Sequence, residues 1–127
     1  MREELQSMMK ELEEVEQYLL IEPSGETEEL KEMLGRLNVY LARVNKIWAD
    51  ATYILLKEKE ALFDKFDLLN CPNKQLAREL LVAKTADSGY IVKLAERISR
   101  TIVHNCDNLR TQVSYDKEEM KLTRTGY

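Results

Sequence analysis

The chain has 127 residues, a third of them charged, with only 4 Gly and 2 Pro. That length bounds it to one domain, and the composition suits long helices and excludes a β-sandwich or a doubly wound sheet. The net charge of −4 excludes a uniformly basic nucleic-acid binder, but residues 1–33 hold eleven acidic and three basic side chains, which leaves the remainder at +4.

Residues 3–20 read as a first, acidic helix, with Leu5, Met8, Met9, Leu12, Val15, Leu19 and Leu20 at helical spacing. Glu22-Pro23-Ser24-Gly25 ends it, because proline disfavours helix in the residue before it and glycine adds a turn signal. Ser24 or Thr27 is the expected cap of the next helix, 27–69. That helix keeps apolar residues in step every seven positions in three columns. One is Leu34, Leu41, Trp48, Leu55, Leu62 and Leu69; a second is Leu30, Leu37, Val44 and Ala51, continued by Glu58 and Lys65; a third is Met33, Tyr40, Ile47, Ile54, Ala61 and Leu68. Three adjacent columns make a face wider than a two-stranded coiled-coil seam.

Asn70-Cys71-Pro72-Asn73 predicts a reversal between long helices, the mark of an antiparallel hairpin. The last long helix is expected over 74–122, kinked near 85–90 by Thr85-Ala86-Asp87-Ser88-Gly89, with Asp87 or Ser88 recapping it. Its apolar stripe is Ile91, Leu94, Ile98, Ile102, Cys106, Leu109 and Val113, and 123–127 form a frayed tail. The expected fold is therefore a single all-α domain over 1–127. It is a long antiparallel helical hairpin with an extra N-terminal helix over 1–22, assembled into an oligomeric helical bundle. Its oligomer core would hold Leu34, Leu41, Trp48, Leu55, Leu62, Ile98, Ile102 and Leu109, because one short chain cannot cover a face about 60 Å long.

No catalytic constellation is legible. His104 has no Ser or Cys partner at a motif spacing and falls opposite the apolar stripe. There is no Glu-x-x-His pair for a bundle di-metal centre and no zinc, Walker or dinucleotide motif, so no enzyme activity, metal or cofactor is expected. Cys106 reads as a small core residue and Cys71 as an accessible thiol beside Pro72. Two cysteines without framework spacing, no signal-like N-terminus and no apolar run of ~20 residues point to a reducing, cytoplasmic setting with no membrane partner. Trp48 and Tyr40 fall in the apolar columns and read as core.

The basic residues are patterned. Lys93, Arg97, Arg100 and His104 line one face of the last helix, and Arg110, Lys117, Lys121 and Arg124 form a second group on another side. Cations at helical pitch suit a phosphate backbone with little demand on base identity, and Tyr90 and Tyr115 are candidates for stacking on bases. The acidic N-terminal arm can attract this basic body or compete with a polyanion for it.

The segment Leu109 to Glu119, Leu-Arg-Thr-Gln-Val-Ser-Tyr-Asp-Lys-Glu-Glu, resembles the C-terminal helix of small phage-encoded helical proteins. The layout over about residues 37–122 is similar in pattern to phage recombination mediators of the UvsY kind, with the strongest local similarity from Ile98 to Lys117. The resemblance implies a ring-like homo-oligomer in the host cytoplasm that binds single-stranded DNA and helps load a recombinase, with the cations of the last helix facing the DNA. Two other readings stand beside it. One is an oligomer that sequesters a small anionic nucleotide in clefts between protomers, using Arg, Lys and Tyr. The other is a helical scaffold that grips a protein partner.

Overall fold

Forty residues of uninterrupted helix need a partner along their apolar side, and the last helix supplies it for about half that length. The computed structural model describes residues 1–67 and 70–124, the side chain of Arg124 excepted. Leu68, Leu69 and the segment 125–127 lie outside the described residues, as does the reading of a frayed tail there. The described chain is all-helical: α1 (Glu3–Leu19), α2 (Thr27–Phe66), α3 (Lys74–Lys84) and α4 (Ala86–Arg124).

The dominant packing is α2 against α4. Thr27 Oγ1 donates to Asp116 Oδ2 at 3.2 Å, and Ser99 Oγ donates to Asn45 Oδ1 at 2.8 Å. Eighteen residues forward along α2 thus match seventeen back along α4, so the two helices run antiparallel. Along this seam the second column of α2, Leu30, Leu37, Val44 and Ala51, is buried in one core with Ile91, Leu94, Ile98, Ile102, Cys106, Leu109 and Val113. Ile98, Ile102 and Leu109 therefore belong to the core of the single chain. The stripe they form packs chiefly against α2, with α1 beside it.

The flanking columns of α2 fare differently. α1 lies along the third column. Tyr18 meets Tyr40 edge-on with ring centroids 5.1 Å apart, and Arg36 sits 5.7 Å over the Tyr18 ring. Leu5, Leu12 and Val15 of α1 are buried, and Met8, Met9 and Leu19 pack beside them. The first column lies on the other flank, and Leu34, Leu41, Trp48, Leu55 and Leu62 are only half-buried there.

Beyond Ala51 the core runs out. Glu58 occupies the next buried-column position, and its Oε1 is enclosed without a hydrogen-bond partner. Asp67, with φ 47 and ψ 50, takes a left-handed cap, so α2 stops at Phe66, short of the expected 69. α3 is capped by Asn73, whose Oδ1 accepts from Leu76 N at 3.1 Å, yet Ala77 is its only buried apolar residue. The helical path breaks at Thr85 alone, a narrower interruption than 85–89. Thr85 Oγ1 donates to Leu81 O at 2.6 Å and Ser88 Oγ donates to Thr85 O at 3.2 Å, so these hydroxyls close the turn, and the expected caps Asp87 and Ser88 both lie inside α4. At the start of α2 neither Ser24 nor Thr27 caps. Glu26 holds the N-cap position without a side-chain bond, Ser24 Oγ turns to Glu29, and Thr27 is drawn to Asp116 across the interface. Gly25, between Ser24 and Glu26, has φ +96, a backbone that glycine adopts without strain.

Three substitutions test this layout. Gly35 is exposed inside α2, and a Cβ there meets nothing within 4 Å. Gly35→Ala should raise unfolding free energy by about 1 kcal/mol in urea titration. Ile102→Ala, at a fully buried position, should lower it by about 2–5 kcal/mol, whereas Val82→Ala, on exposed α3, should stay within about 0.5 kcal/mol.

Candidate polyanion-binding face

A face that binds phosphates needs several cations free to leave their present partners. α4 projects the predicted residues outward because they fall between the positions buried against α2. Lys93, Arg97, Arg100, His104, Arg110, Lys117 and Lys121 are all exposed. Lys93 to Lys117 spans twenty-four residues, about 36 Å of helix at 1.5 Å per residue. Tyr90 and Tyr115 are also exposed, at 54% and 69%, and lie a similar distance apart. The two tyrosines are thus too far apart to sandwich one base.

The arginines are not free. Arg97 Nη2 lies 3.7 Å from Glu16 Oε2 of α1. Arg100 pairs with Glu96 one turn before it, and Arg110 Nη1 lies 3.2 Å from Asp107 Oδ1. Among the described residues no carboxylate pairs with Lys93 or Lys117. Exposed pairs of this kind contribute about 0–1 kcal/mol each and are readily exchanged, so they tune the face without closing it.

Two further cations, Arg36 and Arg43, were not among the sequence-derived candidates. They stand seven apart on α2, on the flank that receives α1, where Arg43 pairs with Glu11. Their spacing was visible in the sequence, but nothing there placed α2 beside the cations of α4. α1 therefore runs between Arg43 on one side and Arg97 on the other. Its apolar contacts hold it: three fully buried side chains contribute about 1.5–3 kcal/mol each, more than the two ion pairs together. The exposed Glu13 and Glu14 crown it.

Nothing else concentrates chemistry. A cleft of about 240 Å³ below the α1–α2 turn is lined by Tyr18, Met33, Leu37, Asn105, Asn108 and Gln112 among others, amides and apolar groups with Glu22 the one carboxylate. Among the described residues no three His, Cys, Asp or Glu side chains converge as metal ligands, and no helix is long and apolar enough to cross a membrane. Both cysteines are free: Cys71 is half-buried and donates to Asn73 O at 3.3 Å, and Cys106 is buried. Burial pushes the Cys106 thiol above its ordinary 9.0, with Arg110 pulling weakly the other way. Burial likewise raises Tyr18 above 10.0, opposed by Arg36.

No protein-family model, no curated protein and no solved structure matches this chain.

A group whose proton is held more tightly folded than unfolded gives stability that is complete below the unfolded pKa. That stability is lost as pH rises from there through the folded pKa. Thermal stability should therefore fall as pH climbs above about 9, and Cys106→Ala should flatten that fall relative to its own stability at pH 7, read from melts between pH 7 and 10. A wild-type melting temperature that stays level across this range would contradict the assignment.

Proposed function

We propose that this protein is a non-enzymatic helical binding protein that works as an assembly of copies, in which protein–protein contact is the primary activity. The observation that carries the reading is the half-buried first column of α2. Leu34, Leu41, Trp48, Leu55 and Leu62 stay half-buried along a helix about 60 Å long, and they run into an end where Leu56, Phe63, Phe66, Leu76 and Val82 are exposed. A continuous apolar flank of that extent marks an interface. The charges at this end are nearly balanced, with six basic and five acidic side chains between residues 57 and 84, so a second copy meets no net repulsion there. The oligomeric bundle, the cytoplasmic setting and the likeness to phage recombination mediators are parts of this proposal.

A second reading is favoured by the spread of Lys93, Arg97, Arg100, Arg110, Lys117 and Lys121 over some 40 Å of one helix: the assembly binds a long polyanion such as single-stranded DNA. Cations so widely spaced suit an extended backbone better than a small nucleotide, which would engage only two or three of them in one chain.

Light scattering after size exclusion tests the assembly. The wild-type chain should elute as an oligomer, and Leu41→Glu with Trp48→Glu should give folded single chains by far-UV circular dichroism. A wild type that stays monomeric at 100 μM removes the reading. For the second reading, affinity for a 30-nucleotide oligo-dT should fall with salt with a log–log slope of roughly −0.7 per phosphate engaged. Lys93→Ala and Lys117→Ala should each weaken it, and no binding at low salt would eliminate it.

A further inference from the structure

From the placement of α1 we infer a built-in electrostatic guard: α1 holds Arg43 and Arg97 in ion pairs through Glu11 and Glu16 and so competes with a polyanionic ligand for them. This rests on the polyanion reading above. Glu11 and Glu16 are five residues apart, so they project from opposite flanks of α1. One reaches α2 and the other α4. Between them Leu12 and Val15, 0% and 1% exposed, seat the helix in the groove. The apolar seat makes the guard permanent, so a ligand must take the arginines from the carboxylates without displacing the helix.

Glu13 and Glu14 stand exposed on the outer side of α1, facing away from the groove, whereas Glu11 and Glu16 make the two arginine pairs. Arg110 pairs with Asp107 of its own helix rather than with α1, and Lys117 lies about two turns further along α4. Binding should therefore begin at the C-terminal half of α4 and spread to Arg97 and Arg43 only as their pairs are exchanged.

Full-length wild type, Glu11→Gln/Glu16→Gln and Glu13→Gln/Glu14→Gln are compared for binding a fluorescent 30-nucleotide oligo-dT over a salt series. Both variants remove two negative charges from exposed or partly exposed positions, and only the first touches the arginine pairs. At 50 mM salt the first should bind about threefold to tenfold tighter than wild type, and its log–log salt slope should steepen by up to about 1.4 as two more cations engage. The second should tighten binding less than about twofold with its slope unchanged. If wild type binds but the two variants behave alike, the guard is overturned while the polyanion reading stands. If no form binds at low salt, both fall. Far-UV circular dichroism confirms that each form is folded.

Discussion

The seam between α2 and α4 is the constraint from which the rest follows. Leu30, Leu37, Val44 and Ala51 present one narrow row to the stripe from Ile91 to Val113. Hydrophobic burial along that row is worth more than any polar contact in the molecule, since each buried Leu or Ile contributes about 1.5–3 kcal/mol. The polar pairs at Asn45–Ser99 and Thr27–Asp116 add little energy, but they sit at its edges and oppose a slip of register, which would break both. Because the seam uses only the middle of three apolar columns, the other two must be covered separately. α1 covers one of them over its N-terminal half, and the other is left half-bare.

Long helices, the turn at 70–73 and the apolar stripe of α4 could be read from the sequence because periodicity and proline state them locally. Which column of α2 would be buried could not be read, since Leu34, Leu37 and Met33 differ little in hydrophobicity. The clue was present in Glu58 and Lys65, which end the second column: the buried row stops before them, and an enclosed carboxylate oxygen at Glu58 marks the place. Ile98, Ile102 and Leu109 are buried within the single chain, because a stripe of one helix width is matched there by α2. Caps were misjudged where a tertiary partner outbid the local one, as Asp116 does for Thr27.

The candidate face was legible in part. Helical spacing correctly placed Lys93, Arg97, Arg100, Arg110 and Lys117 on the solvent side of α4. Spacing did not reveal that Arg97 and Arg43 are gripped by the acidic N-terminal helix, because that needs the position of α1 between two other helices. The charge asymmetry along the chain is met in space at two points, where Glu11 and Glu16 of the acidic helix pair with Arg43 and Arg97 across a packed groove.

Stability along the molecule should be graded accordingly, since segments with few buried contacts open most easily. Amide hydrogen exchange, followed as concentration rises from dilute solution, measures this directly. The account predicts that residues 37–51 and 94–109 are strongly protected even in the most dilute sample, while 54–66 and 74–82 exchange quickly there and become protected as copies associate. Uniform protection along all of α2 at the lowest concentration, or an unprotected seam, would contradict it.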